Sequence, residues 1–227
     1  AALAMSTPFG LTGQQQDATE LAQWLLDQVG DVAVDGSITQ RCFGGKFRTT
    51  VVCSGCGHAQ EKVESFSDLC LPMLDARSEG EMGGALSVAR LLRAFFQEEQ
   101  LSGYRCDSCQ AVDTSKRRCG ITRPPEHLML ALNRFSYSAS GQQEKLDVHV
   151  SVDKQLALPM EGTDLLEGYA LYAVVLHIGS SPHAGHYICV GRSSEDEEAL
   201  WQRFDDCTVA SLPLGETSQE ALDRMAN

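Results

Sequence analysis

The sequence predicts a mixed α+β domain in which strands dominate the second half of the chain. Three observations support this prediction: 43% of the 227 residues are hydrophobic, two segments have helical periodicity, and several short segments are rich in β-branched and aromatic residues. A chain of this length can bury one sizeable core, in one domain or two lobes, but not several independent cores.

Two helices are predicted from the spacing of apolar residues. The first covers residues 12–29, where Thr12 and Gln15 fit a capping box and apolar residues recur every three or four positions. A flexible loop leads into the second helix, which is amphipathic. Its apolar face consists of Val88, Leu91, Leu92, Phe95 and Phe96.

The predicted strands are rich in β-branched and aromatic residues or alternate between apolar and polar residues. In the first of them, Gly44 and Gly45 indicate a bulge or bend. The acidic run at 193–199 predicts a solvated hairpin tip. We expect strands over 38–52, 61–73 and 114–123, within 124–138, and near 146–152, 169–178, 186–192 and 200–205.

Charge and hydropathy exclude two classes of partner. A net charge of −13 argues against nucleic-acid binding, because phosphate contacts require a basic face. It favours a partner with a basic surface, although solubility alone explains such a charge equally well. No apolar segment approaches the roughly 20 residues that span a bilayer, and the first ten residues lack the basic start of a signal peptide. We therefore expect an intracellular protein, cytoplasmic or nuclear, that binds neither nucleic acid nor membrane.

Four of the nine cysteines form two CxxC pairs, Cys53 with Cys56 and Cys106 with Cys109. Two such turns can present four thiolates to one tetrahedral zinc ion, and four sulfur ligands leave no open position, which is typical of a structural site. The alternatives are two unrelated thiol turns, or a redox pair, which would need a helix start that neither CxxC has. His58 is interpreted as a surface residue.

A histidine and a carboxylate pair suggest nucleophilic catalysis. The motif "HAGHYICVGR" places His186 between Gly185 and Tyr187 at the start of a predicted strand, and "WQRFDDC" places Asp205 and Asp206 at the end of the next one. A thiol protease needs an imidazole with a pKa near neutral and an acceptor that holds its second nitrogen. Glycine beside the histidine lets a substrate backbone approach closely. Taken alone, a histidine next to a carboxylate-bearing strand is more often structural.

Several motifs in fixed order resemble the ubiquitin-specific proteases: "QQDATEL", "CSGC", "CDSC", "LNRFSYS", "GYALYAVVLHIG", "HAGHYICVGR" and "WQRFDDCTV". The resemblance implies a papain-like fold with thumb, antiparallel β palm and zinc-tipped β fingers, which hydrolyses the isopeptide bond after the C-terminal glycine of ubiquitin. It implies one partial catalytic domain over 1–227, with the remaining thumb helix in 1–36. The fingers, with the zinc site and an inserted helix, are expected in 37–122, and the palm in 123–227.

The resemblance also implies roles for individual residues. His186 matches the general base, Asp205 matches the residue that orients it, and Asp206 matches a second carboxylate that helps to polarise the site in some members. The resemblance further implies that ubiquitin and ubiquitinated proteins are the binding partners.

Asp17 and Glu20 lie one helical turn apart and match acidic residues that contact the basic C-terminal tail of ubiquitin. Gly185 and Tyr187 are expected to form walls of the channel for that tail. The alternative for the acidic pair is stabilisation of a helix N-terminus.

The nucleophile of the family is expected in a box that reads roughly G-N-T-C-[YF]-x-N. No such string occurs in this sequence, and only 13 residues precede Gln14. Two interpretations remain open. Either the chain is the C-terminal two-thirds of a catalytic domain, or it belongs to a pseudoenzyme that binds ubiquitin without cleaving it. On either interpretation, these 227 residues alone are expected to have no hydrolytic activity.

Overall fold

The structure, a computed structural model, describes most of the chain. The described residues are 16–31, 38–73, 86–137, 141, 143–146, 148–163, 166–181, 184–192 and 200–212. The predicted capping box at Thr12 and Gln15, the loop before the second helix and the acidic tip at 193–199 lie outside them. Within the described ranges, no helix is both long and apolar enough to cross a membrane.

The first described helix, α1, spans Ala18–Asp31 and begins later than the predicted start at residue 12. Asp17 caps it, since its Oδ1 accepts hydrogen bonds from the backbone N–H groups of Thr19 at 2.6 Å and Glu20 at 3.3 Å. A carboxylate in this position satisfies N–H groups that have no partner within the helix.

The chain folds into two compact units, each assembled from segments that are distant in sequence. The first contains Ala1–Leu25, Arg134–Lys154 and Leu171–Asn227, and the second contains Leu26–Asn133 and Gln155–Ala170.

The second unit contains a four-stranded antiparallel sheet. Its strands are β1 (Gly45–Cys53), β2 (Ala59–Phe66), β4 (Glu99–Gln100) and β5 (Ser115–Arg123), and their order is β2-β1-β5-β4. Thr50 and Cys53 of β1 and Ser115 of β5 are buried, so the middle of this sheet is packed although its outer strand β2 is largely exposed.

The segment before β1 corrects one prediction. Residues Ile38–Cys42 form a short helix, α2, instead of the start of a strand. The backbone N–H of Phe43 bonds to the carbonyl of Thr39 at 2.8 Å, which continues the helical turn. A Cβ on Gly44 would lie 2.3 Å from the carbonyl oxygen of Gln40, so the chain can leave the helix this tightly only through a glycine.

Two strand pairs and one helix complete the second unit. β3 (Leu69–Pro72) pairs in parallel with β6 (Leu130–Asn133), and β9 (Gln155–Pro159) pairs with β10 (Leu166–Ala170) in antiparallel fashion. The amphipathic helix α3 (Val88–Phe95) is capped by the Ser87 hydroxyl and buries Val88, Leu91 and Leu92, which confirms its predicted apolar face in part. The fully buried apolar core side chains include Leu71, Leu91, Ile121 and Leu158.

The first unit contains a hairpin and a four-stranded antiparallel sheet. The hairpin pairs β7 (Phe135–Tyr137) with β8 (Gln143–Lys145). The sheet consists of β11 (Ala173–Ser181), β12 (Ala184–Arg192), β13 (Trp201–Asp205) and β14 (Thr208–Ser211), in the order β11-β12-β13-β14.

The strand predicted near 146–152 is wrong. Leu146 and Val150 are buried, but no strand spans this segment among the described residues: Leu146 only extends the β7–β8 pairing by one bond, and Ser151 makes an isolated bridge. The Arg134 guanidinium instead donates to the carbonyl of Val148 at 2.7 Å, and the backbone N–H of Leu146 donates to the carbonyl of Arg134 at 2.6 Å. Because a side chain satisfies the Val148 carbonyl, the segment buries its apolar residues without forming a strand of its own.

Two other predicted strands are each divided. The 61–73 segment supplies the end of β2 and all of β3, which belong to different sheets. The 169–178 segment supplies the end of β10 and the start of β11. In both cases a break of two residues in the ladder redirects the chain, which apolar alternation alone does not reveal.

Candidate active site and cysteine cluster

Neighbouring strands bring His186 and Asp205 together. Cys189 of β12 pairs with Phe204 of β13, and side chains alternate between the two faces of a strand. His186 and Asp205 therefore both project from the face opposite to this pair. On that face, Nε2 of His186 lies 2.6 Å from Oδ1 of Asp205. The His186 side chain is 44% exposed and that of Asp205 27%, so the imidazole is open to solvent on one side while its acceptor is more enclosed.

Arg203 holds the other oxygen of the same carboxylate. It lies two residues before Asp205 on β13, so both side chains point the same way, and its guanidinium donates to Oδ2 of Asp205. The carboxylate is thereby fixed at both oxygens. Arg203 was not predicted from the sequence. Its position two residues before Asp205 on a predicted strand would have indicated that both side chains lie on the same face.

The contact changes the pKa of both partners. The hydrogen bond with Asp205 raises the pKa of His186, and the charges of Asp205 and Asp206 act in the same direction, against partial desolvation and Arg203. The hydrogen bond with His186 lowers the pKa of Asp205, with further help from Arg203. Imidazolium and carboxylate therefore stabilise each other.

Asp206 occupies the turn between β13 and β14, because Asp205 pairs with Thr208 across it. Its φ is 50°, in the left-handed region that aspartate tolerates better than most residues. The turn keeps Asp206 exposed, and a ligand atom of each of His186, Asp205 and Asp206 lies within 4.8 Å of the others. The structure thus brings the three predicted catalytic side chains into one cluster.

Gly185 and Tyr187 flank His186 and both contact His177. A Cβ on Gly185 would lie 2.2 Å from Nε2 of His177, so packing within the chain already requires glycine at this position. The rings of Tyr187 and His177 have centroids 4.8 Å apart at 50°. His177, predicted as a core or cleft-wall histidine, is partly buried between them.

Asp17 and Glu20 have no contact with this cluster among the interactions of the described residues. Both are exposed, and Asp17 is the cap of α1. The interpretation as helix-start residues therefore has direct structural support, while a role in binding ubiquitin stays a prediction.

The four cysteines of the CxxC pairs cluster between two turns of matching geometry. In the first turn the N–H of Cys53 bonds to the carbonyl of His58 at 2.9 Å, and the N–H of Gly57 bonds to the carbonyl of Cys53 at 2.8 Å. The second turn has the same two bonds: the N–H of Cys106 bonds to the carbonyl of Ala111, and the N–H of Gln110 bonds to the carbonyl of Cys106, both at 2.9 Å. Gln110 therefore corresponds to Gly57.

The positions of the sulfur atoms fit a tetrahedral metal ion. The Sγ atoms of Cys53 and Cys109 are 3.7 Å apart, as are those of Cys56 and Cys106, and all four lie within 4.8 Å of one another. Zn–S bonds of about 2.3 Å in a tetrahedron give S–S separations of roughly 3.8 Å. A disulfide would require about 2.05 Å. The donor set and its spacing therefore suit zinc.

Residues outside the CxxC pairs support the cluster, and the sequence analysis missed them. The Thr114 hydroxyl lies 3.2 Å from Sγ of Cys53, and this hydrogen bond is the main cause that lowers the pKa of the Cys53 thiol to about 5. In the same cluster, hydrogen bonds with neighbouring thiols, Cys56 first, raise the pKa of the Cys109 thiol to about 11. Metal ligands must be deprotonated, so binding of a metal would release protons from the cluster. Gln60 of β2 donates to Asp107 at 2.5 Å, which ties the second turn to the sheet. These contacts join residues far apart in sequence and leave no local signal.

We expect the pKa of His186, measured by NMR titration, to lie above the ordinary value of about 6.5, and to fall in Asp205→Asn. Both proteins should titrate reversibly, with Asp206→Asn as the control that removes a charge but keeps the Asp205 hydrogen bond. An unchanged pKa in Asp205→Asn would contradict the assigned contact.

The same pair predicts the pH dependence of stability. The raised pKa of His186 stabilises the fold fully below the unfolded-state value, and this contribution is lost as the pH rises through the folded-state pKa. The lowered pKa of Asp205 contributes above the unfolded-state value and is lost as the pH falls. In urea denaturation, the loss of stability in His186→Gln should be largest between about pH 4 and pH 6.5 and smaller at pH 8.

Comparison with known proteins identifies the family of this chain. The sequence matches the family model "Ubiquitin carboxyl-terminal hydrolase" over residues 2–222. It is 28% identical over 219 residues to human ubiquitin carboxyl-terminal hydrolase 42, covering 89% of this chain and 15% of that protein. It is 30% identical over 213 residues to hydrolase 48 of Danio rerio, covering 88% and 19%. The chain thus spans less than a third of the length of each of these relatives.

Solved structures show the same fold. A chain in the yeast SAGA deubiquitinase module with a mutant Sgf73 superposes with a TM-score of 0.75 at 24% identity, covering 92% of this chain and 48% of that one. A chain in the SAGA module of Ubp8, Sgf11, Sus1 and Sgf73 bound to monoubiquitin gives 0.74 at 25% identity, covering 92% and 46%. With the fold and the family model in agreement, this chain belongs to the ubiquitin carboxyl-terminal hydrolase family and has a ubiquitin-specific protease catalytic domain.

Proposed function

We propose that this chain provides the general base and its orienting carboxylate in a cysteine-type deubiquitinase that cleaves the isopeptide bond after the C-terminal glycine of ubiquitin. The supporting observation is the 2.6 Å contact between Nε2 of His186 and a carboxylate that Arg203 also holds. This arrangement leaves Nδ1 of His186 as the nitrogen that can exchange a proton with a thiol.

In this mechanism Nδ1 of His186 takes the proton of the attacking thiol, and the thiolate adds to the carbonyl carbon of the scissile bond. The imidazolium then gives its proton to the departing lysine amine, which leaves a thioester. A water molecule, deprotonated by the same imidazole, hydrolyses the thioester and restores the thiol. Asp205 stabilises the imidazolium at each protonated stage, and the nearby charge of Asp206 acts in the same direction.

The attacking thiol is proposed to lie outside these 227 residues. None of the nine cysteines has the sequence context of the family nucleophile. Four of them form the cysteine cluster, and the side chain of Cys189 projects from the face of β12 opposite to that of His186. In the family's terms, we assign the β11-β12-β13-β14 sheet to the palm and the β2-β1-β5-β4 sheet to the fingers.

The experiment that tests this function compares the 227-residue chain with the protein expressed from its complete gene, using ubiquitin with a fluorogenic C-terminal amide. We expect hydrolysis only by the longer protein, and a loss of about 10²- to 10⁴-fold in kcat for His186→Ala. His149→Ala, which removes an exposed imidazole elsewhere, is the matched control. Binding of ubiquitin without turnover by the complete protein would instead establish the pseudoenzyme.

We also propose that Cys53, Cys56, Cys106 and Cys109 bind one structural zinc ion. Elemental analysis should give one zinc per chain, and Cys106→Ser should lower both the zinc content and the free energy of unfolding, the latter by several kcal/mol, since metal-binding energy contributes directly to folding. Cys207→Ser, which changes an exposed cysteine outside the cluster, should leave both unchanged. A zinc-free wild type with full stability would contradict the proposal.

Ubiquitin is the proposed partner, and Asp17 is proposed to read its basic tail. The two capping bonds fall on Oδ1 of Asp17, so Oδ2 of this exposed carboxylate is directed to neither bond. A solved structure similar to this chain was determined bound to monoubiquitin. The acidic net charge of −13 suits a basic partner surface.

Asp17→Asn separates the two roles of this residue, because asparagine caps helices about as well as aspartate but carries no charge. We expect Asp17→Asn to keep the thermal stability and to weaken ubiquitin binding, by 2–5 kcal/mol if the contact is desolvated and by about 0–1 kcal/mol if it is exposed. Calorimetry with intact ubiquitin gives the effect, and ubiquitin lacking its C-terminal tail is the control. Equal affinity of both proteins for intact ubiquitin would leave Asp17 as a helix cap.

A further inference from the structure

The ammonium group of Lys145 links β8 to β11 through three contacts. Its Nζ lies 3.2 Å from the carbonyl oxygen of His177 and 3.3 Å from Nδ1 of the same residue, and it donates a further hydrogen bond to the carbonyl of Gly179. An ammonium has three N–H donors, so one Lys145 side chain can donate to all three acceptors. Lys145 is half-buried, and no sequence motif had marked it as functional.

The Gly179 carbonyl belongs to a β-bulge opposite the start of β12. Ile178 pairs with His186 and Ser181 pairs with Ala184, and the register shifts between these two pairs. Gly179 has a φ of 148°, and a Cβ there would lie 2.8 Å from the carbonyl oxygen of Ala184. Bulges next to active sites re-aim neighbouring side chains. Here the bulge is adjacent to the pair that contains the candidate base.

Lys145 also determines the tautomer of His177. Because an ammonium can only donate, Nδ1 of His177 must accept, and the ring hydrogen lies on Nε2. Burial and the charge of Lys145 both lower the pKa of His177, which keeps the ring neutral. Nε2 is buried without a hydrogen-bond partner among the described residues, and it lies against the Cα of Gly185.

We propose that Lys145 is a positioning residue for the candidate general base: it closes the bulge opposite His186 and holds the ring of His177 against Gly185. This inference rests on the proposed function, since it explains how the backbone that carries His186 is held. The order of contacts runs from Lys145 to His177, from His177 to Gly185, and from Gly185 to the adjacent His186. None of the three Lys145 contacts given above is with His186 or Asp205, so the proposed effect runs through His177 and the bulge.

Removing the ammonium has a consequence that charge alone does not produce. Loss of a nearby positive charge would raise the pKa of His186 by electrostatics. Loss of positioning would loosen the hydrogen bond with Asp205, which is the main cause of the raised pKa, and so would lower it. The direction of change therefore distinguishes positioning from a charge effect.

The test is long-range ¹H–¹⁵N NMR of histidine ring nitrogens in the unliganded 227-residue chain. The wild type should show His177 with its hydrogen on Nε2 alone. In Lys145→Met, which keeps the aliphatic stem, we expect a second tautomer of His177, shifted ring resonances of His186 and a lower pKa of His186. Lys145→Arg, another obligate donor, should restore the wild-type tautomer. Lys154→Met removes an exposed lysine of the same unit and should change nothing.

Two results would overturn the proposal. One is a wild-type His177 with its hydrogen on Nδ1, and the other is a Lys145→Met spectrum in which His186 is unchanged or its pKa rises. If Lys145→Met does not fold, Gly185→Ala decides the same question, because its Cβ displaces the His177 ring while Lys145 stays; unchanged His186 resonances there would overturn the proposal too. None of these measurements involves ubiquitin or hydrolysis, so they can fail or succeed independently of the proposed function.

Discussion

The register between β12 and β13 is the constraint on which the candidate active site depends. Side chains alternate between the faces of a strand, so a slip of one residue would carry His186 to the face opposite Asp205. Ile188 and Val190 share the face of His186 and are almost fully buried. The apolar core thus specifies the register, and the register places the imidazole beside its acceptor. The geometry of the candidate site is a consequence of core packing.

Sequence reasoning succeeded where the signal is local and failed where it depends on tertiary contacts. The CxxC spacing is local, so it identified the four clustered cysteines. Arg203 could have been found from its spacing to Asp205, whereas Lys145 contacts His177 across 32 positions and has no local signature. The histidine and carboxylates were selected by their motifs, because a lone histidine near an aspartate is more often structural.

The errors in the fold prediction have a common physical cause. Residues 38–42 and 146–152 contain residues that favour strands, yet neither segment forms a strand among the described residues. In the first, an i→i+4 bond and the close approach of Gly44 to Gln40 favour a helical turn. In the second, the Arg134 side chain satisfies a backbone carbonyl. Strand propensity reports how side chains fit a pleated surface, and does not show whether another donor will satisfy the backbone.

Backbone strain is concentrated at the two candidate sites. Among the described residues, the non-glycine residues with positive φ are Gln110 and Asp113 in the second cysteine turn and its flank, and Asp206 in the turn between β13 and β14. Each such conformation costs on the order of 1–3 kcal/mol and persists only where surrounding contacts enforce it. The first cysteine turn avoids this cost, because Gly57 occupies the position of Gln110. The first turn can therefore form without much strain, while the second depends more on surrounding contacts such as the Gln60–Asp107 bond. Binding of zinc would in this way stabilise the strained turn, as the hydrogen bonds of Asp205 to His186 and Arg203 stabilise the strand end next to Asp206.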